Sequence, residues 1–410
     1  MDVRFTFLFS AFALLQVGCS DPSVRAQQVT SSFDSVKCQT SAAINNQFIV
    51  QWSDGRFTIE AGKDPESFRK EFVEPRAFEI SHVQINQKVN QITSELKSTG
   101  LQESAVSSYG LEQTEAEAVW SQGFRGQGVS VAVVDSEVDV SHNQLSSRIA
   151  INNNEIPGNQ IDDDNNGVVD DVLGATFFSN SSGGSNDHGS HVAGIIAADP
   201  SRGPLSGVAP EARIIPSAFL DGNGSGSLGD AILAMQYAAS RGAKVINASW
   251  GGNGCADSLA SAFSQLNRQG ILLVVASGNS GFDIDVTDFF PASFNLSNQI
   301  TVGATDAINL MPTWSNNGFQ KVHLTAPGVG ILSTGRNNTY LTMDGTSMAT
   351  PYVAGAAAVL WSARPQATAS QIKQALFSGV DVITGRNSKT LTRGRLNLRK
   401  SLDELRRIVP

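Results

Sequence analysis

The sequence predicts an α/β fold: a parallel sheet flanked by helices on both faces, preceded by a small α+β unit. Three observations carry that expectation. The run Val129-Ser130-Val131-Ala132-Val133-Val134 is nearly continuous in apolar, β-branched residues, as in a strand covered on both faces. Comparable runs recur at Arg213–Pro216, Lys244–Ala248, Ile271–Ala276 and Ile300–Val302. Interleaved with these, and after the last, come helix-like runs at His191–Ala197, Gly229–Arg241, Leu259–Gln269 and Pro351–Ala363. Such alternation makes a parallel sheet, because each crossover lays its helix on a face.

Composition sets limits on what the chain does. The 410 residues leave room for a large core and a second unit. With 40% hydrophobic residues, the chain has enough apolar surface to fold. The formal charge of -9 argues against nucleic acid or an anionic membrane as partner. Residues 1–18 read as a signal peptide: Arg4 precedes an apolar run, Phe5 to Val17, too short for a membrane span. Leu15-Gln16-Val17-Gly18-Cys19 resembles a bacterial lipoprotein cleavage box, with Gln16 where leucine is usual. It implies a lipid anchor at Cys19; cleavage after Ala26 is the alternative and leaves none. Residues 19–40 read as a polar linker. Cys38 and Cys255 are a possible disulfide or two separate thiols.

Residues 41–104 have the texture of a small domain. Asn46–Trp52 reads as a strand, and Val83, Val89, Ile92 and Leu96 recur at helical spacing, predicting an amphipathic helix over Ser81–Ser98. Leu101–Ser108 has turn character.

The chemistry centres on Gly345-Thr346-Ser347-Met348-Ala349-Thr350-Pro351. Pro351 belongs near a helix start, which puts Ser347 at a helix N-terminus, where backbone N–H groups favour negative charge. A serine nucleophile needs a base and a partner to orient the base. His188-Gly189-Ser190-His191-Val192-Ala193-Gly194 offers His188, and Asp135 ends the strand Val129–Val134, where α/β sheets present functional side chains. The order Asp, His, Ser, without a G-x-S-x-G elbow, argues against an esterase of α/β-hydrolase type.

These three motifs, and the chain from Tyr109 to Leu398, resemble the subtilisin-like serine proteases. The resemblance implies a triad of Asp135, His188 and Ser347, with Asn279 in Ser277-Gly278-Asn279 completing an oxyanion hole. It also implies a catalytic domain over 105–410 and peptide-binding walls. One wall is Gly224, Ser225 and Gly226; the others are Ser249, Trp250 and Gly251, and Ala276, Ser277 and Gly278. Trp250 stands where leucine is usual and would add bulk beside the specificity pocket. Phe289, in Asp288-Phe289-Phe290-Pro291, would narrow that pocket if it points inward. The 41–104 unit takes the place of a propeptide that folds with and inhibits the enzyme, a simple accessory domain being the alternative. Processing is then expected within Leu101–Tyr109. Together these imply an endopeptidase made as a zymogen, acting on protein or peptide substrates.

One residue departs from the pattern. Glu137 stands where the family has glycine, and adds negative charge near His188. It is the ground for an alternative, a catalytically weakened peptide-binding protein. His191 and His142 read as structural. Asp162-Asp163-Asp164-Asn165-Asn166-Gly167-Val168-Val169-Asp170-Asp171 sets oxygen ligands at alternate positions around a glycine. It predicts structural Ca2+ held by Asp162, Asp164, Asn166, the Val168 carbonyl and Asp170. A second calcium site common in the family is expected to be missing, since Gln144 replaces its aspartate.

Overall fold

The computed structural model describes residues 43–92, 95–97, 109–178, 186–254, 256–383 and 388–410. The signal peptide, Cys19, the linker, Cys38, Cys255 and the expected processing stretch 101–108 lie outside them.

The N-terminal unit is a sheet of β1 (Ala43–Trp52), β2 (Phe57–Ala61) and β3 (Ile80–Gln91), with a short helical connection that begins at α1 (Pro65–Phe68). Asp64 caps α1, its carboxylate accepting from Ser67 N. Residues alternate between two faces of β1. Phe48 and Val50 join Phe68, Val73, Ile80 and Val83 in a core of their own, while Ile49 faces the larger domain.

The predicted helix over 81–98 is instead β3, followed by β4 (Glu95–Lys97). The residues whose spacing suggested the helix do not share one face: Val83 packs in the core of the N-terminal unit and Val89 in a core of the larger domain.

The larger domain starts with two short helices, α2 (Tyr109–Thr114) and α3 (Ala116–Trp120), then β5 (Ser130–Asp135) and β6 (Ala175–Thr176). There follow α4 (His188–Ala197), β7 (Arg213–Ala218), β8 (Ser225–Ser227), α5 (Leu228–Ser240), β9 (Val245–Ala248), β10 (Trp250–Gly251) and α6 (Asp257–Arg268). Next are β11 (Leu272–Ala276), β12 (Gln299–Thr305), β13 (Leu324–Pro327), β14 (Ile331–Thr334), β15 (Tyr340–Asp344) and α7 (Thr346–Ala363). The chain closes with α8 (Ala369–Ser378), β16 (Asp381–Val382), β17 (Gly394–Arg395) and α9 (Leu398–Ile408).

The central sheet runs β16-β17-β13-β12-β11-β9-β5-β7-β6, and its pairs are parallel except β16 with β17. The predicted α/β class is therefore the observed one, with an antiparallel edge. Along β5, Val131 and Val133 pack with α4 and α7, and Ala132 and Val134 with α5 and α6. Both faces are thus dry, which is why the strand reads as an unbroken apolar run.

The two units meet along α5 and α6. Ile49, Phe57 and Val89 join the α5–α6 core. Gln84 Oε1 accepts from Ser258 N at 2.9 Å and Asn86 Oδ1 from Gly229 N at 3.0 Å. Each satisfies a backbone N–H in the first turn of a helix. Ala256, the residue before α6, supplies no side-chain cap itself, so the cap comes from β3.

Candidate active site

Asp135 is the last residue of β5 and His188 the first of α4. Gly189 lets the two elements close up: a Cβ there would collide with Ser136 O. Its N–H donates to Ser136 Oγ at 2.9 Å. The result is a 2.7 Å contact between His188 Nδ1 and Asp135 Oδ1, both side chains fully buried. A buried carboxylate at Nδ1 fixes the proton there and leaves Nε2 as the basic atom. His188 Nε2 has no hydrogen-bond partner.

Ser347 is the second residue of α7, which begins five residues before the expected start at Pro351. Pro351 lies inside the helix and cannot donate to the carbonyl four residues back, that of Ser347. Ser249 Oγ supplies the bond instead, donating to Ser347 O at 3.0 Å. In return the Ser347 hydroxyl donates to Ser249 O at 3.2 Å. It is therefore turned toward Ser249, and rotation about its Cα–Cβ bond is what would aim it at His188.

Asn279 follows β11 at the mouth of the same cleft. Its Oδ1 accepts from Thr346 N at 3.0 Å and Thr346 Oγ1 at 2.8 Å. Those bonds fix which end of the side-chain amide faces Thr346. Thr346 is a functional residue that sequence reasoning missed; its hydroxyl also accepts from Gly278 N. Gly278 has φ +105°, a conformation glycine adopts without strain.

The peptide-binding walls hold a strand of the protein itself. Ser225 and Gly226 pair with Asn90 and Val89, and Trp250 and Gly251 with Gln91 and Asn90. Gln91 N donates to Gly224 O at 2.7 Å. Further on, β4 pairs antiparallel with β15, Glu95 opposite Asp344. Residues 88–91 and 95–97 therefore each pair with strand edges in the way an extended peptide does. Ser277 is tied to Asn316 through its hydroxyl and carbonyl, and follows Ala276 at the end of β11.

Trp250 differs from expectation. Its ring is fully buried, edge-on to Phe219 at 4.9 Å, in the core that also takes Val89. Only its backbone lines the cleft. Phe289 points inward: its ring lies against Gly251 and Gly278, its nearest ring atom 2.5 and 3.1 Å from a Cβ built at each.

Glu137 is paired with Arg336 at 2.7 Å and keeps an ordinary backbone conformation. Its charge is balanced by that guanidinium. His191 is buried, its Nε2 placed 3.0 Å from Ile331 O and 3.1 Å from Leu341 O. Burial first, then the neighbouring His188, lower its pKa to about 3. His142 Nδ1 accepts from Gln144 N, and the Gln144 amide donates to Asp199 O and Leu205 O.

In the acidic loop the carboxylates that converge are Glu155, Asp164 and Asp171, with oxygens within 4.8 Å of one another. Of the five predicted ligands only Asp164 is among them. Asp162 accepts from Asn166 N and Gly167 N, Asn166 Oδ1 from Val168 N, and Asp170 from the N–H groups of Gly158, Asn159 and Gln160. Glu155 likewise accepts from the N–H groups of Asp163, Asp164 and Asp170, and Asp171 is paired with Arg241 at 2.7 Å. The converging donors are all carboxylate oxygens, the set that suits a hard divalent cation such as Ca2+.

Comparison with known proteins agrees with this geometry. Residues 126–394 match the model of the Subtilase family. The chain is 37% identical over 278 residues to the thermophilic serine proteinase of Bacillus sp. (strain AK1), covering 68% of this chain but 62% of that protein. It is 34% identical over 273 residues to subtilisin DY of Bacillus licheniformis, covering 66% of this chain and 90% of the relative. To the major intracellular serine protease of Bacillus subtilis (strain 168) it is 35% identical over 256 residues, 62% of this chain and 74% of the other. The chain belongs to the subtilase family, the serine proteinases of the subtilisin type.

Proposed function

We propose that the chain is an exported serine endopeptidase made as a zymogen, with its N-terminal unit as intramolecular inhibitor. The carrying observation is the buried Asp135–His188 pair, together with Ser347 bonded to Ser249 at a helix start and residues 88–91 paired with Ser225–Ser227, Trp250 and Gly251.

In the reaction, Ser347 Oγ turns from Ser249, gives its proton to His188 Nε2 and attacks the substrate carbonyl carbon. The oxyanion is held by Asn279 Nδ2 and the Ser347 N–H. Asp135 stays ionised and stabilises the imidazolium. His188 then protonates the leaving amine, and water admitted to the emptied side hydrolyses the acyl-enzyme by the same route reversed.

The pairing register favours one self-cleavage site. Trp250 faces Gln91, so the next residue, Ile92, faces Ser249, whose carbonyl accepts the Ser347 hydroxyl. That makes Ile92–Thr93 the scissile bond, in place of the stretch 101–109. Export rests on the residues 1–18 and not on the relatives, one of which is named intracellular. Lipidation of Cys19 remains the reading of its cleavage box. No helix among the described residues is long and apolar enough to cross a membrane. Calcium in this reading is held by Glu155, Asp164 and Asp171, where it would pin the loop to β5's neighbours rather than take part in chemistry.

Three measurements test the proposal. A fluorophosphonate should label Ser347, purified protein should hydrolyse casein, and the processed chain should begin at Thr93. Ser347→Ala should remain full length without activity. Wild-type turnover in that variant removes the assigned nucleophile, and a first residue within 101–109 removes the register argument. No observation at Glu137 favours the non-catalytic alternative.

A further inference from the structure

Between the strand that ends at Asp135 and the strand that leads to Asn279 runs β9, and it carries a polar residue into the dry core. Asn247 is fully buried and pairs with Val133 of β5 on one side and Val274 of β11 on the other. Val245 lies in the core shared by α4 and α7, and Ile246 in the core shared by α5 and α6. Alternation therefore turns Asn247 toward α7, the helix that begins with Thr346 and Ser347. Its Nδ2 donates to Ser249 Oγ at 3.0 Å, and Ser249 Oγ donates to Ser347 O at 3.0 Å. That hydroxyl has a single hydrogen, and it is committed to the carbonyl that Pro351 leaves without its helical donor. What the hydroxyl takes from Asn247 must then be an N–H, which decides the amide's orientation. Asn247 Oδ1 has no hydrogen-bond partner among the described residues. For stability alone leucine would suit the position better, since an unpaired buried acceptor is a net cost. Ser347 is thereby tied on both sides: Asn279 Oδ1 takes the preceding N–H, that of Thr346, and the chain from Asn247 takes the Ser347 carbonyl.

We propose that Asn247 is a positioning residue for the reaction: through the Ser249 hydroxyl it holds the Ser347 carbonyl and so fixes where the nucleophile's Cα–Cβ bond points. This deepens the protease reading, on which it rests for Ser347 as nucleophile. Two physical effects carry it. A hydroxyl that accepts a hydrogen bond donates a stronger one, so removing the amide loosens the next bond in the chain. At a helix start weakened by proline, the angle of that carbonyl sets the angle of the residue that bears it, and small errors of aim slow an attack steeply. Asn247 makes no bond to the reacting oxygen. Its effect therefore belongs to the chemical step and leaves substrate binding alone.

The test compares the mature wild-type enzyme with Asn247→Leu, Ser249→Ala and the double variant, active sites being counted by fluorophosphonate titration. Asn247→Leu should lower kcat about ten-fold, the size of one buried hydrogen bond, and keep KM within about two-fold. Its Tm should hold or rise, because leucine removes the unpaired oxygen. A merely structural asparagine would give the reverse, a lower Tm with kcat kept. Ser249→Ala should lose about as much kcat, and the double variant no more than Ser249→Ala alone, since amide and hydroxyl act as one chain. The rate constant for labelling by the fluorophosphonate should fall in step with kcat. If Asn247→Leu does not fold, Asn247→Ala takes its place in the same cycle. Unchanged kcat at position 247, or losses that multiply to about a hundred-fold in the double variant, overturn the inference while the protease reading stands. A wild type that labels without hydrolysing peptide overturns the endopeptidase reading, and slower labelling of Asn247→Leu then keeps the role of Asn247. A wild type that does neither overturns both.

Discussion

The Ser347 hydroxyl and the Ser249 carbonyl are joined by a 3.2 Å hydrogen bond, while Ser249 Oγ holds the Ser347 carbonyl at 3.0 Å. The nucleophile is thus fixed at both ends to the strand that faces the segment in the cleft. In the proposed mechanism the Ser347 hydroxyl leaves this bond to give its proton to His188. What decides the rate after that step is the donor set waiting for the oxyanion.

Asn279→Ala should lower kcat about 10² to 10³-fold with little change in KM, since the amide acts on charge that appears only in the transition state. The reference case for that figure is an asparagine of a subtilisin. Thr346→Val, which removes one of the two bonds orienting the amide, should lower kcat by a smaller factor of about ten. Steady-state kinetics on one chromogenic peptide read both; a KM effect alone would sink the assignment.

Phe289 fills the space between Gly251 and Gly278. Wild type should therefore prefer isoleucine, valine or alanine over phenylalanine before the cut. Phe289→Ala should raise kcat/KM for a P1 phenylalanine peptide at least ten-fold relative to P1 alanine. A wild-type enzyme already favouring P1 Phe, Tyr or Leu would contradict the placement.

Gln84 and Asn86 cap α6 and α5 from the other unit. Losing a cap costs about 1 kcal/mol. Gln84→Leu with Asn86→Leu should weaken retention of the cleaved N-terminal unit on the order of ten- to thirty-fold. The lag before casein hydrolysis, followed after mixing the zymogen into assay buffer, should shorten in step.

Removal of calcium by EDTA should lower Tm by on the order of 5–10 °C, as expected for a site at about 100-fold saturation. In Glu155→Gln/Asp164→Asn the chelator should have no effect. Asp162→Asn and Asp170→Asn should destabilise the loop yet keep the EDTA response, because those carboxylates bond to backbone N–H groups. Equal loss of the response in both pairs would restore the ligand set expected from the sequence pattern.

Acid stability follows from two buried imidazoles. His191 and His323 each have a pKa lowered to about 3, by burial first and then by His188 and Lys373 respectively. Between about 6.5 and 3 the unfolded chain takes up protons that the folded one refuses. Stability is complete above about 6.5 and falls as pH drops through that window, by up to about 1.4 kcal/mol per unit for each histidine. Urea midpoints between pH 7 and 5 measure the slope, and His323→Gln should reduce it by about half.

The Asp135–His188 contact was legible because both residues sit in local motifs, at a strand end and a helix start. The sheet was legible because strands covered on both faces announce themselves by composition. What escaped was set by contacts between distant elements. Gln84 and Asn86 look like solvent-facing polar residues until β3 is laid on α5 and α6. The Asp162–Asp170 pattern has ligand spacing, but turn formation competes for the same oxygens. Trp250 reads as pocket bulk because its backbone does line the cleft, whereas its ring is drawn beneath by Phe219. Thr346 carries no signature of its own, since it acts by orienting the amide of a neighbour.

One continuous strand, Ile80–Gln91, belongs to the N-terminal sheet at one end and to the cleft at the other. If the segment inhibits as proposed, then while the chain is whole it is held at an effective concentration that no free peptide matches, and dilution cannot dislodge it. A break beyond Ile92 turns that tether into an ordinary bimolecular complex. From then on activity would depend on how thinly the two pieces are spread, so the same molecule would be silent where it is crowded and active once it has diffused away.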